Sequence, residues 1–88
     1  MKVIHKFPIE MANAQLISMP LESEILSVDI QNNIICLWAL CSYGACKMHE
    51  RKILIFGTGS NTSDLDSFVR FIGTVQLNGF VWHIFERT

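Results

Sequence analysis

The chain has few charged residues and no long apolar run. Charged side chains make up 17% of its 88 residues, and seven basic residues against eight acidic ones give a net charge of -1. Without a basic excess there is no overall field to attract a nucleic-acid backbone, so duplex binding is not expected. No apolar stretch approaches the roughly 18 residues that span a bilayer, and Pro8 and Glu10 interrupt the N-terminal segment in a way unlike a signal peptide. We therefore expect a cytoplasmic protein that does not bind membranes.

Cysteine is also scarce. Cys36, Cys41 and Cys46 are an odd number and too sparse for a secreted disulfide scaffold, which predicts reduced thiols. Their spacing, even with His49 added, does not match a zinc knuckle or ribbon. No local signature pairs a cysteine with a base or an oxyanion hole, so we predict no metal, no cofactor and no catalysis.

Apolar residues, in contrast, make up 50% of the chain. A chain of this length has room for one domain, residues 1–88, and buries only a modest fraction of its surface. Some apolar surface is then left for contacts with other chains, which predicts a homo-oligomer.

Alternating apolar and polar residues predict an antiparallel β-structure. Leu26, Val28 and Ile30 share one face of a predicted strand, and the dipeptides Asn32-Asn33 and Asn78-Gly79 favour hairpin turns. We predict about six strands, over residues 3–9, 24–31, 34–41, 52–56, 74–77 and 80–87, with residues 15–19 as a further strand or an extended segment.

One segment has helical spacing instead. Apolar residues recur at i, i+3, i+4 and i+7, namely at Leu65, Phe68, Val69 and Ile72. Ser63 is placed to cap such a helix, Asp64 and Asp66 suit its first turn, and Gly73 suits its end. The expected fold class is mainly β (α+β), a small antiparallel β-barrel or sandwich of about six strands with one short helix.

The junction before this predicted helix is the best candidate site. Backbone N–H groups of Gly57-Thr58-Gly59-Ser60 can converge on one phosphate or carboxylate, and a helix N-terminus near Ser63 would add partial positive charge. The segment lacks the Gly-Lys pair of a Walker motif and the third glycine of a dinucleotide fingerprint. A plain tight loop is the alternative interpretation.

Aromatic residues provide candidate stacking surfaces for a base. Trp38, Trp82 and His83 are the candidates, and Thr74 is a candidate hydrogen-bond donor beside Thr58. The alternatives are core packing for Trp38 and a core histidine satisfied by a backbone carbonyl for His83.

Two basic pairs, His5-Lys6 and Arg51-Lys52, could form a local positive rim if their strands are neighbours. Lys6 and Arg51 are therefore candidates to neutralise the charge of an anionic ligand. Ordinary solvated strand ends are the alternative interpretation.

Several motifs, taken together, resemble a family of short uncharacterised bacteriophage and prophage proteins. They are His5-Lys6-Phe7-Pro8, Met19-Pro20, Ile25-Leu26-Ser27, Gln31-Asn32, Cys36-Leu37-Trp38-Ala39-Leu40, Gly57-Thr58-Gly59, Ile72-Gly73-Thr74 and His83. The resemblance spans nearly the whole chain. It implies a small accessory protein made inside an infected bacterium, with no catalytic residues to carry over.

These observations lead to two main functional hypotheses. The first is a non-enzymatic anti-defence protein, a homo-oligomeric sponge that sequesters a small phosphorylated, nucleotide-derived immune signal of the host. The second is a protein–protein inhibitor or adaptor that docks on a host or phage protein through a strand edge or an apolar patch. A small hydrolase or lyase acting on nucleotides is a third, weaker hypothesis.

Overall fold

Antiparallel strands make up most of the chain in the computed structural model, which describes residues 1–63, 65–66 and 68–88. Seven strands are present: β1 (Lys2–Pro8), β2 (Ala14–Pro20), β3 (Glu24–Gln31), β4 (Ile34–Ser42), β5 (Met48–Gly57), β6 (Val69–Leu77) and β7 (Phe80–Arg87). They form a three-stranded sheet in the order β1-β4-β3 and a four-stranded sheet in the order β2-β5-β7-β6. The mainly β prediction is confirmed, but the strands form two sheets and not the closed barrel given as one option.

Both predicted hairpins are present. Asn32 and Asn33 join β3 to β4 with φ angles of 53° and 63°, and Asn78 and Gly79 join β6 to β7 at 54° and 81°. Positive φ at both central residues is the backbone that two-residue hairpin turns require, and asparagine and glycine tolerate it best.

The predicted short helix is wrong. Its second half is strand β6, which begins at Val69 and pairs with β7, and no helix occurs among the described residues. Asp64, predicted for the first turn, lies outside the described residues. Of the four apolar residues at helical spacing, Leu65 and Phe68 precede β6, and only Val69 and Ile72 lie in it, where a β-bulge between Phe71 and Gly73 interrupts the alternation. Nor does the described part of the chain hold a helix long and apolar enough to cross a membrane.

The core lies between the two sheets. Leu37 of β4, Ile53 of β5 and Ile84 of β7 are fully buried, and apolar residues of β2, β3 and β6 surround them. A second bulge, between Ile25 and Ser27, places Ile25 in this core and leaves Leu26 exposed, although the alternation had assigned Leu26 to the apolar face. Burial of both inner faces is the main stabilising contribution that this architecture offers.

The sheets meet closely along one side, where β3 lies beside β6. Arg70 Nη2 donates a hydrogen bond of 2.7 Å to the Ile25 carbonyl, and a Cβ atom on Gly73 would lie only 2.7 Å from Val28 Cγ1. Gly73 is therefore a close-packing residue of this seam and not a helix terminator. On the opposite side, β1 and β2 are the outermost strands of their sheets.

Candidate functional site

The best candidate site is a pocket at one corner of the four-stranded sheet. Strand β2 begins at Ala14, opposite Leu54 of β5, whereas β5 continues to Gly57. The last residues of β5 therefore pair with β7 only, apart from a 3.0 Å hydrogen bond from the Ile55 N–H to the Asn13 carbonyl. A pocket of about 510 Å³ occupies this corner, and we call it the Trp82 pocket. Its polar and aromatic lining residues are Asn13, Lys52, Phe56, Ser60, Asn61, Trp82 and Arg87.

The glycine-rich loop forms one wall of the Trp82 pocket, mainly through side chains. The Ser60 N–H donates to the Gly57 carbonyl at 3.0 Å, and the Thr58 N–H donates to the Val81 carbonyl at 3.1 Å. Gly59 has a φ of 87°, which favours glycine. Two of the N–H groups predicted to converge on an anion are thus engaged within the protein, and the side chains of Ser60 and Asn61 line the pocket.

Gly57 allows the indole of Trp82 to lie against this loop. A Cβ atom at position 57 would lie 3.1 Å from Trp82 Cζ3, closer than ordinary van der Waals contact. Among the described residues, the Trp82 indole nitrogen is a buried side-chain donor without a hydrogen-bond partner. An unpaired buried donor costs about 1–3 kcal/mol. Because this nitrogen is shielded from solvent, a ligand acceptor would reach it only after a small movement of the indole or its neighbours.

The charge of the Trp82 pocket is positive. Lys52 and Arg87 lie opposite each other on β5 and β7, and none of the described residues that line the pocket is acidic. Arg87 follows Trp82 by five residues, so these two cations lie on the other face of the sheet from the indole, and the pocket extends around the corner of the sheet. Arg87 Nη1 donates a 2.9 Å hydrogen bond to Asp66 Oδ2, and this bond is the main reason that the pKa of Asp66 is lowered from its usual value. Asp66 is an exposed residue, so solvent screens its charge.

His83 lies on the other face of the sheet from Trp82, because the two residues are consecutive on β7. Thr58 Oγ1 is 2.8 Å from His83 Nε2, and Thr74 Oγ1 is 3.1 Å from His83 Nδ1. The structure thus brings Thr58, Thr74 and His83 together, as a group separate from the indole. Both ring nitrogens of His83 have hydroxyl partners. The alternative interpretation had predicted a core histidine bonded to a backbone carbonyl.

The remaining predicted site residues lie elsewhere. Lys6 and Trp38 are register partners on β1 and β4 of the other sheet, and Lys6 Nζ donates to Gln31 Oε1 at 2.6 Å. Trp38 is half-buried. The two basic pairs do not lie on neighbouring strands, because β1 and β5 belong to different sheets. Lys6 and Trp38 are therefore not part of the Trp82 pocket.

Arg51 is bound at the opposite end of the sheet. Its Nε contacts Glu86 Oε2, its Nη2 donates to Glu86 Oε1 at 3.0 Å, and its Nη1 donates to the Ser23 carbonyl at 2.7 Å. Glu86 is only 4% exposed. A second pocket of about 440 Å³ at this end shares Arg87 with the Trp82 pocket, and its lining of mixed charge includes Glu22, Glu50 and Arg70. We call this region the charged end.

Four polar residues in the described lining of the Trp82 pocket were not predicted: Asn13, Lys52, Asn61 and Arg87. The sequence does single out Lys52, as the neighbour of Arg51, but alternation along a strand does not say which of two consecutive cations faces a pocket. Asn13 and Arg87 join the pocket only through the pairing of β2 and β7 with β5.

No group of three or more histidine, cysteine or acidic residues that could hold a metal ion occurs in the described part of the chain. The three cysteines are free, with Cys36 and Cys41 buried and Cys46 exposed.

Comparison with known proteins identifies the family. The model of a domain of unknown function (DUF7352) matches residues 1–88, so the chain belongs to that family. Neither the curated proteins nor the solved structures contain a significant match.

Proposed function

We propose that this member of the DUF7352 family binds a small phosphorylated, nucleotide-like ligand in the Trp82 pocket and releases it unchanged. The observation that carries the proposal is one pocket whose described lining holds the indole of Trp82, two cationic side chains and no acidic residue. The volume of about 510 Å³ lies within the range of roughly 300–1,000 Å³ that small-molecule sites occupy.

Each part of such a ligand has a counterpart in the pocket. Lys52 and Arg87 would attract phosphate, and the Arg87 guanidinium can form paired hydrogen bonds to phosphate oxygens. The indole of Trp82 would stack on a base or donate its N–H to it, and stacking on an aromatic side chain contributes about 1–3 kcal/mol per base. Ser60 and Asn61 would supply hydrogen bonds that fix orientation.

Binding without turnover is proposed because the pocket offers no nucleophile paired with a base. His83, the obvious base, is not among the residues that line the pocket, and both of its ring nitrogens are hydrogen-bonded to hydroxyls. A general base must lie within hydrogen-bond reach of the proton that it abstracts. Sequestration of the ligand fits this arrangement better than hydrolysis does.

The biological setting is proposed from the resemblance to phage and prophage proteins alone. In that setting the protein would act in the host cytoplasm as a stoichiometric sponge for a nucleotide-derived immune signal. The lining of the pocket supports the proposed ligand class, and the resemblance alone supports the proposed source of the ligand.

Isothermal calorimetry with a panel of linear and cyclic nucleotides tests the proposal. At least one phosphorylated compound is expected to bind, and its unphosphorylated nucleoside is expected to bind far more weakly. Lys52→Gln should weaken binding roughly tenfold by removing one charge-assisted contact. Lys6→Gln is the matched control, because Lys6 is an exposed strand lysine on the other sheet, and it should leave the affinity unchanged. Absence of heat across the panel at high protein concentration would contradict the proposal.

A second candidate function, docking on another protein, is favoured by a row of phenylalanines on the outer face of the four-stranded sheet. Phe71 is 55% exposed and packs against Phe85 at 5.3 Å between ring centroids, and Phe56 lies 6.0 Å from Phe85 on its other side. Exposed aromatic groups of this kind are typical of interaction surfaces.

The two candidates are separated by paired variants. Phe71→Ser should abolish recovery of a stoichiometric protein partner from host lysate while leaving nucleotide binding intact, if docking through this row is the function. Lys52→Gln should have the reverse pattern if the Trp82 pocket carries the function.

A further inference from the structure

The edge of strand β2 is unlike the other strand edges that the structure describes. Edges β3 and β6 lie against each other at the seam between the sheets. Edge β1 carries Lys2, His5, Lys6 and Pro8, which are residues that discourage pairing with another chain. Strand β2, with the sequence AQLISMP, contains no charged residue in seven positions and has proline only at its last. An unprotected edge of this length is a template for another strand.

Two hydrogen bonds show which backbone groups of this edge point outward. The Ile55 N–H donates to the Asn13 carbonyl at 3.0 Å, and the Leu21 N–H donates to the Lys47 carbonyl at 2.9 Å. Pairing alternates along an antiparallel strand, so odd-numbered residues of β2 bond to β5 and even-numbered ones face away from it. The N–H and C=O groups of Ala14, Leu16 and Ser18 therefore line the open edge. Pro20, the next residue of this set, has a carbonyl but no N–H.

We propose that two copies of this chain pair through β2, antiparallel, about a two-fold axis at Leu16. Leu16 then lies opposite Leu16 of the partner subunit, and Ala14 lies opposite Ser18 of the partner subunit. In this register each of the three outward N–H groups of one strand meets an outward carbonyl of the other, which gives three bonds from each strand. Shifting the strands so that Ala14 meets Pro20 of the partner subunit keeps three bonds from each strand but leaves the Ala14 carbonyl of each strand without a donor. It also replaces the contact between the two Leu16 side chains with a contact between Leu16 and Ser18 of the partner subunit.

The side chains of this edge fit a second copy of the same strand. Leu16 is 59% exposed, and the two-fold axis places it against its own equivalent, where both side chains lose contact with water. No like charges meet, because neither strand has a charge. The two four-stranded sheets join into one sheet of eight strands, with a Trp82 pocket beside each end of the new pair, since Asn13 and Ala14 line that pocket. This dimer does not depend on what the Trp82 pocket binds.

Native mass spectrometry and light scattering test the dimer, with Leu16→Lys as the disrupting variant. The wild-type chain is expected to be a dimer at micromolar concentration, and Leu16→Lys is expected to raise the dimer dissociation constant at least a hundredfold by opposing two ammonium groups. Ile4→Lys is the matched control, because Ile4 is also 59% exposed and lies on the edge strand β1, and it should remain dimeric. Both variants should keep the wild-type circular dichroism spectrum.

A charge swap tests the register. Because position 16 meets itself, Leu16→Lys mixed with Leu16→Glu should form a heterodimer, whereas each variant alone should be a monomer. Leu16→Cys in a Cys46→Ser background should form a disulfide-linked dimer on mild oxidation, since paired Cα atoms about 5.5 Å apart suit a disulfide. A monomeric wild type, a dimer that Leu16→Lys leaves intact, or a mixture of Lys and Glu variants that stays monomeric would each overturn the proposal.

Discussion

Buried polar groups are hydrogen-bonded at one end of the four-stranded sheet and unpaired at the other, among the described residues. At the charged end, Arg51 and Glu86 satisfy each other with two hydrogen bonds, and a third goes to the Ser23 carbonyl. At the other end, the indole N–H of Trp82 is buried without a partner among the described residues. Buried polar groups are nearly always paired, so the first arrangement is typical of a structural contact and the second is an exception that an ordered water or a ligand would resolve. This difference points to the Trp82 pocket, among the several pockets of the surface, as the candidate functional site.

The largest expected effect is a loss of stability on removing the ion pair at the charged end. Glu86→Gln should lower the free energy of unfolding by about 3 kcal/mol, because the Arg51 guanidinium loses its counter-ion in a buried site. Urea denaturation monitored by circular dichroism measures this loss. Asp66→Asn is the control, since it removes a carboxylate from an exposed ion pair and should change stability much less. If Glu86→Gln instead weakened nucleotide binding without loss of stability, the structural assignment of this end would be wrong.

A smaller effect, on affinity and not on stability, is expected at the opposite end. Trp82→Phe should weaken binding of the phosphorylated ligand about tenfold, because it removes the indole N–H and part of the stacking surface. Trp38→Phe is the matched control and should leave the affinity within a factor of two of wild type. Calorimetric titration of both variants checks the pair, and equal losses in the two would contradict the assignment of Trp82.

The smallest effect concerns the ion pair between Asp66 and Arg87 at the rim of the Trp82 pocket. The pKa of Asp66 is lowered mainly by the hydrogen bond from Arg87, so the folded state binds a proton at this group less readily than the unfolded state does. Its contribution to stability is therefore present above the unfolded pKa and is lost as the pH falls through the lowered folded pKa. Asp66→Asn should reduce the dependence of the unfolding free energy on pH below about 4.

The same variant also bears on binding at neutral pH. Removing the carboxylate beside Arg87 should tighten binding of a phosphorylated ligand by about twofold, because an exposed charge contributes little. Weaker binding of Asp66→Asn would show that Asp66 takes part in the site and does not merely compete with the ligand for Arg87.

The strands were predictable where local rules decide them. Asn32-Asn33 and Asn78-Gly79 fix the two hairpins through their tolerance of positive φ, and the flanking alternation then assigns the faces. The prediction of a helix over residues 63–73 was wrong, because apolar spacing alone did not distinguish a helix from the bulged strand β6 and the residues before it. Only pairing with β7, which is a tertiary interaction, distinguishes the two.

The candidate site was predictable in part for a similar reason. Gly57, Ser60 and Trp82 were chosen for their chemistry and do meet in one pocket. Lys6 and Arg51 were chosen for their charge. However, Lys6 lies on the other sheet, away from the pocket, and Arg51 forms an ion pair with Glu86. The cations that do line the pocket are positioned by the register of β5 with β7, and nothing in the local sequence specifies that register.

The most direct test of the central claim is the nuclear magnetic resonance signal of the indole N–H groups during a nucleotide titration. The chain has two tryptophans, so a spectrum of Trp38→Phe assigns both indole signals. We predict that the Trp82 signal shifts downfield and saturates with the calorimetric affinity as its N–H gains an acceptor, while the Trp38 signal stays in place. An unmoved Trp82 signal in the presence of a bound nucleotide would contradict the account.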